Sequence, residues 1–173
     1  DVIDNAGGDA PVVTLIDSVE RLGDDPHWWQ DPRNAVRAIE AIARALIDAD
    51  PEGRAAYTRN AERLTSRLRE LDRRIAACVE RVPEAKRKVV TTHDSLGYFA
   101  RRYGIEVVGA VIPSLSTQAQ ASAGDVDRLV EQIRSEGVEA GFPESAVSPD
   151  LERASAREAG ASGGEALYAG APG

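Results

Sequence analysis

"KVVTTHDSLGYFARRYGIEVVGAVI", residues 88–112, decides the fold. Residues 88–93 are rich in β-branched side chains and read as a buried strand. "DSLGYFARRYG" follows as a short helix that Gly104 ends, and "EVVGAVI" (106–112) is a second strand. A strand, a helix and a strand joined by short loops make a βαβ unit, whose two strands run parallel.

The alternation continues downstream. "SLSTQAQAS" (114–122) is a polar loop, and Ser122 with Asp125 resembles a capping box for a helix through Ser135. "VEAGFPE" (138–144) reads as a third strand. Ser148-Pro149 opens a helix through Ala159, and "ALYAG" (166–170) reads as a fourth strand. This βαβαβαβ series predicts an α/β fold with a four-stranded parallel sheet flanked by helices.

Upstream the character changes. Tyr57, Ala61, Leu64, Leu68, Leu71, Ile75, Cys78 and Val82 alternate spacings of four and three. That is a heptad seam in a helix of about 45 Å at 1.5 Å per residue. Such a seam fits a coiled coil. It also fits a long helix that packs on two bodies in turn, and the change of pattern on either side favours the second. Before it, Asp31-Pro32 is a helix start, and Val36, Ile39, Ile42 and Leu46 form the apolar stripe of a helix over 33–49. "PVVTLI" (11–16) reads as a short strand.

Composition narrows the function. The 173 residues carry a formal net charge of -8, which argues against the basic face that non-specific nucleic-acid binding requires. No apolar run is long enough to span a membrane. The chain contains no methionine and begins with aspartate, so it reads as a processed product or a fragment, and no signal is visible in it. Cys78 is the sole cysteine, which excludes an intrachain disulfide. Glycine-rich phosphate loops, nucleophile elbows and paired-cysteine zinc motifs are absent from the sequence.

The chemistry that remains lies at the strand ends, where open α/β sheets bind ligands. His93 closes the first strand, Glu144 the third and Gly170 the fourth. His27, the other of two histidines, stands in "DDPHWWQDP" (24–32) ahead of the long helix. Two imidazoles and a carboxylate suit a divalent transition metal, and His27, His93 and Glu144 are the candidate ligands. The competing reading makes His93 a hydrogen-bonded structural residue; Trp28 and Trp29 read as anchors of a loop on a core in preference to a stacking platform. "THD" also occurs in metal-dependent phosphohydrolases, but their sites need more histidines than this chain has.

Three stretches carry a resemblance. "DPHWWQDPRNAVRAIEAIARAL", "THDSLGYFARRYGIEV" and "FPESAVSPDLERASAREAGA" resemble, in order, the zinc/manganese solute-binding receptors of bacterial ABC importers. The resemblance runs from about residue 10 to the end. It implies two lobes joined by a rigid long helix, with the ion clamped between them. It divides the chain into the remnant of an N-terminal lobe (1–50), a linker helix (51–82) and a C-terminal α/β lobe (83–173). It assigns His27 and His93 as the second and third metal ligands, and the histidine at 93 favours zinc over manganese. It implies an extracytoplasmic protein, periplasmic or lipid-anchored in its precursor, that delivers metal to a membrane permease and is not an enzyme.

The departures from the family pattern are specific. Gly170 stands where relatives carry a ligand aspartate, Gln120-Ala121 where Glu-Pro is common, and Gly141 where a β-branched strand residue is usual. The first ligand would lie upstream, so the expectation is an incomplete site and an uncovered N-terminal side through which the chain can self-associate. A fold-mate without metal, acting as an adhesion module, is the alternative. A zinc hydrolase ranks last, because no nucleophile or general base is positioned for it.

Overall fold

The computed structural model describes residues 11–115, 122–144, 154 and 157–169. Gly170, the loop at 116–121 and most of the helix expected over 149–159 lie outside the described residues.

Helix α1 spans Pro32–Ala49, and its start follows the sequence logic: the Asp31 side chain accepts the Arg33 N–H and Pro32 takes the first turn. Asp50 accepts the Gly53 N–H over a short 3-10 turn, Pro51–Gly53, and α2 follows as Arg54–Val79. Its 26 residues span about 39 Å. Arg33 pairs with Asp72 and Arg69 with Glu40, so α1 and α2 run antiparallel.

The buried stripe of α2 follows the heptad seam only in part. Leu64 and Leu71 are each 44% exposed, whereas Thr65 is buried and Asp72 half-buried. A straight helix turns every 3.6 residues and drifts about 20° per heptad from a 3.5 repeat, so the contacting side passes through Thr65, Leu68 and Asp72. Asp72 is tolerated there because other elements satisfy it. Arg102 donates to its Oδ2 at 2.7 Å and the Tyr103 hydroxyl to its Oδ1 at 3.0 Å. Burial alone would raise the Asp72 carboxyl. The hydrogen bonds from Arg102 and Tyr103, with the Arg102 and Arg33 charges, outweigh burial and hold it below its ordinary range.

Asp72 thus ties α2 to α1 through Arg33 and to Arg102 and Tyr103. Asp72→Ala is expected to cost about 2 kcal/mol in urea unfolding at neutral pH, because Arg102 and Tyr103 lose their acceptor. A depressed folded pKa adds stability that is present above the unfolded value of about 3.9 and lost as pH falls below it. The gap between wild type and variant should therefore narrow below about pH 4.

Strand β1 is Lys88–His93, α3 is Gly97–Tyr103, β2 is Glu106–Ile112, α4 is Ala123–Glu136, β3 is Ala140–Phe142 and β4 is Ser162–Gly163. Gly104 and Gly137 end α3 and α4 in left-handed conformation, at φ of 67° and 63°. The Ser122–Asp125 capping box forms reciprocally. The sheet order is β2-β1-β3-β4 with every pair parallel. Val90, Val111, Leu129, Ile133 and Val138 make the core between the sheet and α4.

Four expectations shift. Residues 11–14 form no strand, and Leu15–Ser18 make a 3-10 turn. Among the described residues no strand lies beside them to take their hydrogen bonds. The third strand is shorter than 138–144: regular pairing covers 140–142, and Glu144 makes an isolated bridge to Leu167. The fourth begins earlier than 166–170, with Ser162 against Ala140 and Gly163 against Gly141. Its Ser-Gly-Gly start has low strand propensity and hides it from a propensity reading. Gly164 is required next, since a Cβ there would fall 2.5 Å from the Phe142 ring. The stripe on α1 divides: Val36 is buried, while Ile42 and Leu46 are 40% and 42% exposed.

Candidate metal centre

β1 leads to β2 on one side, and β3 lies on the other. The connection changes direction at β1, and the crevice beyond the carboxyl ends of β1 and β3 is where such sheets bind ligands. His93 is the last residue of β1, and Glu144 lies two residues beyond β3. Both are buried, at 1% and 3% exposure. Glu144 is held by its own backbone: its N–H donates to the Thr92 hydroxyl at 3.0 Å.

His27 arrives from the loop ahead of α1, and that loop is fastened at three places. Asn34 on α1, fully buried, exchanges hydrogen bonds with the Glu20 backbone. The Tyr98 hydroxyl on α3 accepts the Leu22 N–H at 2.7 Å and donates to the Asp25 carbonyl at 3.3 Å. The Trp29 indole and Gln30 amide both donate to the Ala169 carbonyl, at 3.2 and 2.7 Å. Gly97 lets the loop come close, because a Cβ there would fall 2.7 Å from Asp25 Oδ2. Trp29, 45% exposed, also stands edge-on to the His27 ring at 5.4 Å, so its hold on the loop is the indole hydrogen bond to Ala169 and not burial in a core.

The result is that two histidines 66 residues apart meet. His27 Nε2 lies 3.3 Å from His93 Nε2. Two nitrogens each bound about 2.05 Å from a tetrahedral zinc would be about 3.3 Å apart. On the far side of each ring sits a carboxylate. Asp25 Oδ1 is 2.7 Å from His27 Nδ1, and Glu144 Oε1 is 2.5 Å from His93 Nδ1. Glu144 therefore reaches the centre through His93, and its Oε2 is buried without a hydrogen-bond partner among the described residues. No arginine or lysine pairs with either carboxylate among the described residues, so the local field favours a cation. Among these residues no group of three or more His, Cys, Asp or Glu converges as a full metal shell; the centre presents two imidazoles.

The sequence reading singled out His27, His93 and Glu144, and the fold brings the three together. It missed Asp25, Asn34 and Tyr98. Asp25 lies two residues from His27, and an acidic residue that close to a ligand candidate was the available signal. Asn34 and Tyr98 carry no signal apart from the fold.

Known proteins resemble this chain in sequence and fold. A family model described as zinc-uptake complex component A, periplasmic (ZnuA), matches residues 1–172. The manganese-binding lipoprotein MntA of Halalkalibacterium halodurans is 31% identical over 139 residues, 80% of this chain and 46% of that protein. The solved periplasmic zinc-binding protein TroA of Treponema pallidum superposes with a TM-score of 0.89 at 26% identity, over 99% of this chain and 66% of that one. The laminin-binding protein Lmb of Streptococcus agalactiae, described as bifunctional with adhesin and metal-transporting activity, gives 0.75 at 26% identity, over 85% and 56%. The chain spans about half the length of the curated relatives it matches. Sequence motifs, sheet topology and family match agree: the chain belongs to the ZnuA family of metal-binding proteins.

Proposed function

We propose that this chain captures a divalent transition metal, zinc in preference to manganese, at His27 and His93 outside the cytoplasm and hands it to an ABC permease. The observation that carries this reading is the 3.3 Å approach of two buried imidazole nitrogens from different elements. Imidazole nitrogen suits zinc better than the harder manganese, which prefers carboxylate and carbonyl oxygen. Water, or groups outside the described residues, complete the shell. In this reading residues 1–50 belong to one lobe, α2 within 51–82 is the rigid link, and 83–173 form the second lobe. The Asp72 anchor at the α2–α3 junction supports that division. The exposed apolar strip of Val13, Ile42 and Leu46 supports self-association through this side.

An adhesion module without metal has no use for two buried imidazoles aimed at one point, so metal capture is the better account. Calorimetric titration of the metal-free protein with zinc and with manganese tests it. The expected result is one zinc per chain, with manganese at least about tenfold weaker, or about 1.4 kcal/mol. Absence of zinc binding, or a preference for manganese, would contradict the proposal.

A further inference from the structure

We propose that Asp25 and Glu144 are positioning residues that fix the tautomer and direction of the two imidazoles. The inference rests on the reading of His27 and His93 as ligands. Each histidine is gripped in the same way by one carboxylate oxygen. Asp25 Oδ1 receives the His27 backbone N–H at 2.9 Å and faces its Nδ1 at 2.7 Å. Glu144 Oε1 receives the His93 backbone N–H at 3.0 Å and faces its Nδ1 at 2.5 Å. One acceptor that takes both the main-chain and the ring nitrogen of a residue leaves its side-chain torsions little freedom. The device occurs twice, once from two residues upstream in a loop and once from 51 residues downstream beyond a strand.

The oxygen that faces each Nδ1 already accepts that residue's backbone N–H, and in the same acceptor role it takes an Nδ1 proton. Each Nε2 then bears its lone pair, and the two lone pairs point at each other across 3.3 Å. Two facing lone pairs repel, and a histidine pair built only for packing would set one ring as donor to the other. Aiming both at one point makes sense for a cation between them, and second-sphere carboxylates orient metal-bound imidazoles in this way. The geometry also settles the part of Glu144. Its Oε1 is occupied by the His93 ring and backbone, with Ser95 Oγ at 3.5 Å, on the side of the ring away from Nε2.

The test uses the full chain, labelled with nitrogen-15, in Glu144→Gln and Asp25→Asn forms. An amide of the same shape can donate to Nδ1 and so turn the ring to the other tautomer. Long-range proton–nitrogen spectra of the metal-free proteins read the tautomer of each ring directly. Wild type should show both rings protonated at Nδ1. Glu144→Gln should move His93, and Asp25→Asn should move His27, to the Nε2-protonated form. Each change should weaken zinc binding about 10- to 100-fold while circular dichroism stays native. Asp25 sits on a loop, so its variant keeps the test open if the buried Glu144 change unfolds the protein. Unchanged tautomers, or switched tautomers with unchanged zinc affinity, would overturn the inference. Absence of zinc binding by wild type would overturn the functional reading instead, and the metal-free spectra would still decide the tautomers.

Discussion

Replacing either histidine with alanine is expected to weaken zinc binding at least about a hundredfold, or about 2.8 kcal/mol. The described residues bring two imidazole nitrogens to the centre, so each variant removes half of that donor set. Tight zinc sites close around three or four protein ligands, and a site left with one has little hold on the ion. The effect should be equal in size for His27→Ala and His93→Ala, although one residue sits on a loop and the other at a strand end. Calorimetry on both variants checks this. Retention of zinc by His27→Ala alone would mean that His93 and other groups form the site without the loop.

The largest loss of stability is expected from Tyr98→Ala. Tyr98 is fully buried, and its hydroxyl bridges the Leu22 N–H and the Asp25 carbonyl. Truncating a buried aromatic ring costs about 3–5 kcal/mol. The Leu22 N–H and the Asp25 carbonyl would lose their partner in addition, each a further penalty wherever water cannot replace it. The loop that carries His27 would then lose its fastening on α3, so zinc affinity should fall with stability. Tyr98→Phe separates the two effects. It keeps the ring and should cost about 1 kcal/mol in chemical denaturation, while still loosening the Asp25 end of the loop. A Tyr98→Ala protein as stable as wild type would show that the loop does not depend on this anchor.

The sheet was legible because its strands and helices follow local rules. Val89 to His93 and Glu106 to Ile112 are β-branched runs, Gly104 stops α3, and Ser122 with Asp125 starts α4. Where the reading slipped, a tertiary contact decided. The Ser162–Gly163 strand exists because Ala140 and Gly141 offer a free edge. The contacting side of α2 follows the 3.6-residue turn of a straight helix packed along α1, with Arg102 and Tyr103 closing on Asp72, and a heptad count does not show it.

The candidate site divides along the same line. His27 and His93 could be named from motif and strand position, but their meeting at 3.3 Å required the loop to be fastened by Asn34, Tyr98 and Gln30. Glu144 reads from the sequence as a candidate ligand, and in the structure its Oε1 faces His93 Nδ1 while Thr92 holds its backbone at the strand end. A strand-end position gives a residue's place on the sheet edge. It does not say whether the carboxylate faces the ion or the ring next to it.

X-ray absorption at the zinc edge, on the zinc-loaded chain, counts the imidazoles bound to the ion. Two imidazole nitrogens are expected at about 2.0–2.1 Å from the ion, with the multiple-scattering signature of rigid rings. That signature should fall to one imidazole in His27→Ala and in His93→Ala wherever zinc can still be loaded. A shell of oxygen alone, or an imidazole count unchanged by both substitutions, would contradict the assignment of His27 and His93 as the ligands.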